Sequence, residues 1–117
     1  MKIYVSGPMS NYPYFNFPTF NQVTKLFRGK GHEVFNPAER DVAQYGDDFW
    51  KSNLTGSIEE ASKKYKFSLR EALAEDTAYI CKEAEAIVML PGWEKSSGAR
   101  AEHALAVALG LTILYGV

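Results

Sequence analysis

The chain has 117 residues, 46% of them hydrophobic and 23% charged, with a formal net charge of -1 and a pI of about 6.1. That length suits one domain over residues 1–117, and so balanced a charge without a long Lys/Arg run argues against a polynucleotide partner. No apolar run nears the roughly 20 residues a bilayer span requires, the single cysteine, Cys81, leaves no internal disulfide, and a strand follows Met1-Lys2 with no signal peptide, so a reducing, cytoplasmic compartment is expected.

Residues 2–6 are β-branched and aromatic and stop at Gly7-Pro8, as a first strand would. Residues 10–17 form a loop rich in aromatics, and Pro18 suits the first turn of a helix. Phe20, Val23, Leu26 and Phe27 recur at helical spacing until Gly29 and Gly31 end the helix. Glu33-Val34-Phe35 reads as a short second strand closed by Asn36-Pro37. The pattern then weakens over residues 38–67, with a short helix from Ile58 to Lys66, and a segment this long is expected to act as a lid or arm. Lys63, Lys64 and Lys66 read as a solvated face.

Ser68 and Glu71 make a capping-box pattern for a helix running to about Ala84. Within it Cys81 reads as a small buried apolar residue. Residues 86–90 form a continuous apolar run, as a buried parallel strand does, and end at Pro91-Gly92. Ser97-Gly98 opens a last helix, Ala99 to Leu109, followed by Gly110 and a strand over residues 111–115. Alternating strands and helices predict an α/β fold around a small parallel sheet of about four strands. Ligands bind such sheets outside the carboxyl ends of the strands, where the loops 6–17, 36–50 and 91–98 should meet.

Two acids break the pattern. Asp76 falls on the apolar stripe Leu69, Leu73, Ile80, Ala84. Glu102 precedes Leu105, Ala106 and Leu109 on the apolar face of the last helix, near its start. A carboxylate on a buried face is costly unless it is paired or used, and the helix dipole is expected to favour ionised Glu102, as a nucleophile requires. The alternatives are a boundary Asp reaching solvent and a surface Glu at a helix start. Ser96-Ser97-Gly98 at that start suits an anion, with Ser97 as a candidate N-cap, and Ser6-Gly7 could complete the cradle. Paired carboxylates beside an anomeric carbon are the means of retaining glycosyl transfer. Tyr12, Tyr14, Phe15, Phe17 and Trp93 stand around the expected pocket; for each singly loop packing is the plainer reading, and Trp93, after the third strand, is the best candidate for stacking on a base. No metal-ligand cluster or cofactor motif competes: His32 and His103 are far apart, and Asp47-Asp48 lacks further ligands.

Ile3-Tyr4-Val5-Ser6-Gly7-Pro8-Met9, the Asp76 helix, the strand 86–90 and Ser96-Ser97-Gly98-Ala99-Arg100-Ala101-Glu102-His103-Ala104 resemble the nucleoside 2-deoxyribosyltransferase superfamily, which includes 2'-deoxynucleoside 5'-monophosphate N-glycosidases. The aromatic loop and Asn36-Pro37 look most like a small branch found in bacteria and their phages. The resemblance implies a flavodoxin-like, usually dimeric fold, with Glu102 as nucleophile, Asp76 orienting it or the sugar, and Tyr4 close by. It implies Gly7 near the sugar-phosphate; together with the residues read above, the expected substrate-binding set is Ser6, Gly7, Pro8, Met9, Asn36, Trp93, Ser96, Ser97 and Gly98. The transferases carry a carboxylate six residues before the Glu; here that residue is Ser96, as in the monophosphate hydrolases, which favours a nucleotide. The resulting expectation is hydrolysis of a (deoxy)nucleoside 5'-monophosphate. The alternatives are base exchange between deoxynucleosides, and nucleotide binding without catalysis.

Overall fold

Along β1 (Lys2–Ser6), Ile3 and Val5 face one side of the sheet and Tyr4 and Ser6 the other, as the two-residue period of a strand requires. β1 lies inside a four-stranded, all-parallel sheet of order β2-β1-β3-β4, with β2 at Glu33–Phe35, β3 at Ala86–Met89 and β4 at Thr112–Tyr115. This computed structural model, which describes residues 1–116, has the flavodoxin-like three-layer arrangement. Among the described residues no helix is long and apolar enough to cross a membrane.

One face of the sheet carries the larger core. Val5, Val34, Val88 and Leu90 there meet Phe17, Phe20 and Val23 of α1 (Phe17–Gly29). The other face is thinner. Tyr4, Ile87 and Met89 there meet Ile80 of α5 (Leu69–Lys82) and Ala99 and Ala106 of α6 (Ser97–Leu109). Ser68 caps α5 as the pattern predicts, its hydroxyl accepting from Glu71 N. Cys81, expected inside, is exposed: it follows the fully buried Ile80 by one residue, and that step turns it away from the sheet.

The stretch that read poorly as sequence is helical. α2 (Pro37–Tyr45) and α3 (Asp48–Lys51) precede α4 (Ile58–Tyr65), which falls where a short helix was expected. Asn36-Pro37 does end β2, but it also starts α2: the Asn36 side chain accepts from Ala38 N and Pro37 occupies the first turn. α3 is anchored by Phe49, which stacks on Phe15 and Tyr45 with ring centroids 5.2 and 4.8 Å apart.

This segment braces the loop after β1. Asn11 N donates to Gly56 O at 2.8 Å and Tyr14 N to Asn53 O at 3.1 Å. The brace holds an unusual backbone, since Asn11, Tyr14, Phe15 and Asn16 all have positive φ. Gly56 makes the contact possible: its φ is +71°, and a Cβ there would stand 2.1 Å from the Tyr12 carbonyl oxygen. Gly56→Ala is therefore expected to lose about 1–3 kcal/mol of stability. Urea unfolding checks this, and an unchanged midpoint would show that the brace is not needed.

Candidate active site

The carboxyl ends of the strands open into a cavity of about 360 Å³, within the size range of small-molecule sites. Glu102 lies in its wall, only 5% exposed, on the buried face of α6. Its two oxygens meet two hydroxyls from one strand. Tyr4 Oη donates to Oε2 and Ser6 Oγ to Oε1, each at 2.7 Å. Positions 4 and 6 share a strand face, and that phase alone brings both hydroxyls to the same carboxyl. Ser6, expected in an anion cradle, thus has its hydroxyl on Glu102.

The Glu102 carboxyl is pushed up to about 7. Burial is the main cause and the charge of Asp76 the second; the hydrogen bonds from Ser6 and Tyr4 and the charge of Arg40 oppose them. The helix dipole favours the ionised form of Glu102, but burial and Asp76 outweigh it. One turn of exposed helix end does not offset removal of a carboxylate from water beside another carboxylate. Burial, followed by the charges of Glu102 and Asp76, holds the Tyr4 phenol far above its ordinary value, so Tyr4 is a donor.

Asp76 faces the same cavity from α5 and is 8% exposed. Its partner is a residue the sequence reading passed over. Arg40 of α2 donates through Nη1 to Asp76 Oδ1, and through Nη2 to Asp41 Oδ1 at 3.1 Å. Burial raises the Asp76 carboxyl and Arg40 pulls it back. Asp41, also in the wall, is raised to about 6, by burial first. Neither Arg40 nor Asp41 stood out because charged residues on a short polar helix resemble a solvated surface.

At the cavity's other side, Ser96 rather than Ser97 caps α6, its Oγ accepting from Ala99 N at 3.3 Å. Ser97 and Gly98 line the wall beside it, with exposed Lys95 at the mouth. Gly7, Pro8 and Met9 line the cavity where β1 ends. Gly7 answers a steric need there: a Cβ would come within 2.7 Å of the Leu90 Cβ. Tyr12, Phe15 and Phe17 also reach the wall, but Phe15 and Phe17 are buried in the core, as loop packing predicts.

Two expected substrate contacts stand elsewhere. Asn36 is outside the cavity wall; besides capping α2, its amide donates to Asn21 Oδ1 at 3.0 Å. Trp93 is also outside the wall, stacked on His103 with centroids 4.2 Å apart and tilted toward Tyr115. Its helical turn, Trp93–Lys95, points the ring along the outer side of α6 toward β4. The apolar wall that a ligand would meet is made instead by Ile58, Phe67, Leu69 and Leu73, none of which sequence spacing distinguishes from core.

The chain belongs to the family described as a domain of unknown function (DUF4406), whose model matches residues 1–115. No curated protein and no solved structure matches it.

A carboxyl that titrates higher folded than unfolded binds more protons in the native state. Its contribution to stability is whole below the ordinary glutamate value of 4.5 and is lost as pH rises through about 7. Glu102→Gln should therefore gain stability relative to the native chain across that interval, reaching roughly 3 kcal/mol above it. Denaturant unfolding of both proteins at a series of pH values measures the difference. A difference independent of pH would mean that Glu102 titrates normally.

Proposed function

We propose that this protein hydrolyses the N-glycosidic bond of a (deoxy)nucleoside 5'-monophosphate through a covalent intermediate on Glu102. The observation that carries the reading is a buried carboxyl with both oxygens on fixed hydroxyls, in a cavity that a second carboxylate, Asp76, also faces. Two acids at one sugar-sized site suit displacement at an anomeric carbon. The resemblance of the first strand, the Asp76 helix and the stretch Ser96–Ala104 to the nucleoside 2-deoxyribosyltransferase superfamily supports the same chemistry.

In the first step ionised Glu102 attacks C1'. The C1'–N bond breaks, and its electron pair leaves with the base, which takes up a proton. In the second step water attacks C1' of the glycosyl ester and restores the Glu102 carboxylate. The proton that water gives up balances the one taken by the base. Tyr4 and Ser6 hold the carboxyl at one angle, so little reorientation precedes attack.

The cavity's charges support one orientation of the substrate. Asp76 and Asp41 repel an anion, so the phosphate belongs at the start of α6, with Ser96, Ser97, Gly98 and Lys95. Gly7 lets the sugar-phosphate approach the end of β1. The base then extends toward Ile58, Leu69 and Leu73. No metal or cofactor enters these steps. In this reading the protein works as a cytoplasmic homodimer.

Liquid chromatography after incubation with ribo- and deoxynucleoside 5'-monophosphates tests the proposal. The native chain should release free base, and Glu102→Gln should lose at least about 10³-fold in rate while staying folded. Full activity in that variant would remove the mechanism. An added acceptor base that outcompetes water would instead establish base exchange, and tight binding of intact nucleotide would establish a binding protein.

Because the nucleophile must be ionised, kcat/KM should rise with pH through about 7 and level off above it. A profile already flat from pH 5 would contradict this. Ser96→Asp places a carboxylate at the phosphate end. It should weaken monophosphate turnover by about 10-fold or more while leaving the free nucleoside nearly unaffected, read as two kcat/KM values. Equal losses on both would move the phosphate elsewhere.

A further inference from the structure

Arg40 takes no part in the proposed steps, yet it is among the most constrained side chains of the site. Its side chain is 16% exposed. Nη1 meets Asp76 Oδ1 and the Ala72 carbonyl oxygen, the latter at 3.3 Å. Nε and Nη2 meet Asp41 Oδ1 at 3.3 and 3.1 Å. Glu75 stands 3.5 Å off on the exposed side. Asn36 and Pro37 start α2 at the end of β2, so Arg40 comes one turn later, facing α5.

A count of charge shows what this arrangement decides. Three carboxyls are buried at the site, Asp41, Asp76 and Glu102, beside one guanidinium. Arg40 cannot give up its proton. Out of water and against one cation the three acids cannot ionise together at low pH, so protons leave the set one after another as pH rises. Where they remain longest depends on which acids touch the cation. Arg40 bonds Asp76 and Asp41, whereas Glu102 has only the neutral hydroxyls of Tyr4 and Ser6 on its oxygens. The charged groups around Glu102 are Asp76 of α5 and Arg40 of α2, with the Tyr4 phenol of β1. Those around Asp76 are Arg40 and Asp41 of α2, Glu75 of its own helix and Glu102 of α6, with the Tyr4 hydroxyl of β1.

We propose that Arg40 is a positioning residue that holds Asp76 in its charged form and so leaves Glu102 as the carboxyl that keeps its proton longest. This deepens the proposed reaction and rests on it for its catalytic meaning: it makes Arg40 the residue that sets the pH at which the nucleophile is released. The proton order itself is a property of the folded chain, with or without turnover. Without Arg40, Asp76 would lose its counter-charge and burial would favour its neutral form. Glu102 would then lose the repulsion of Asp76, which weighs more at that carboxyl than the attraction of Arg40. The order of the two acids would close up or invert.

The experiment is a pH titration of the side-chain carboxyl carbon resonances of ¹³C-labelled protein, comparing the native chain, Arg40→Met and Arg40→Lys. In the native chain Asp76 should ionise at lower pH than Glu102. In Arg40→Met the Asp76 midpoint should move up by about 1–3 units and the Glu102 midpoint down. Arg40→Lys, which keeps a cation, should restore the native order. Glu102 ionising before Asp76 in the native chain would overturn the inference. So would an unmoved Asp76 midpoint in a natively folded Arg40→Met. Should Arg40→Met fail to fold, the native chain and Arg40→Lys still decide: both must show Asp76 ionising first. Absence of base release from any nucleotide would remove the proposed reaction while leaving this proton order measurable.

Discussion

A carboxyl removed from water must be satisfied by the fold that buries it, and in this protein Glu102 is that carboxyl. Its two hydroxyl partners come from alternate residues of one strand, which ties the phase of β1 to the site. A one-residue slip of β1 would turn Tyr4 and Ser6 to the α1 side and leave both Glu102 oxygens bare. The same phase sends Ile3 and Val5 into the larger core, so core packing and acid placement select the same register. Gly7 follows, because the chain must leave the strand pressed against Leu90.

The site's electrostatics follow from that burial. Asp41, Asp76 and Glu102 all have their carboxyls raised, with burial the leading cause in each. The ion pair of Arg40 with Asp76 joins α2 to α5 at the cavity wall and makes α2 a part of the site rather than a connector. Buried acids of this kind destabilise a small fold, and proteins retain such groups chiefly where they are used. The thin core on the α5 and α6 side is the other face of the same compromise, since polar groups occupy room that apolar side chains would otherwise fill.

Legibility varied with the kind of signal. Asp76 and Glu102 stood out because a charge interrupting an apolar helical stripe is costly unless it is paired or used, and both lie in the cavity wall. The strand period put Tyr4 and Ser6 on one face of β1, but the place of Ser6 beside Gly7 suggested an anion cradle, and its pairing with Glu102 is set by helix packing 96 residues away. Asn36-Pro37 read as a strand stop, whereas the same two residues are also a helix start; a local motif cannot say which element claims it. α2 was missed for that reason, and Arg40 with it. Trp93 looked suited to a ligand because it follows β3, yet the turn after Gly92 aims it at His103 and Tyr115.

The sequence by itself determined the alternation of strands and helices: short β-branched and apolar runs bounded by turn residues favour buried strands, and glycines and capping residues mark the ends of the long helices between them. It also placed two acids on apolar helix faces, because helical periodicity is local and survives without knowledge of neighbours. Only the tertiary structure decided which hydroxyls meet Glu102, which cation meets Asp76 and which way each loop aromatic points. Those outcomes depend on residues 36 to 98 positions apart in the chain. Separations of that size are closed by sheet register and helix packing, which no window of sequence contains.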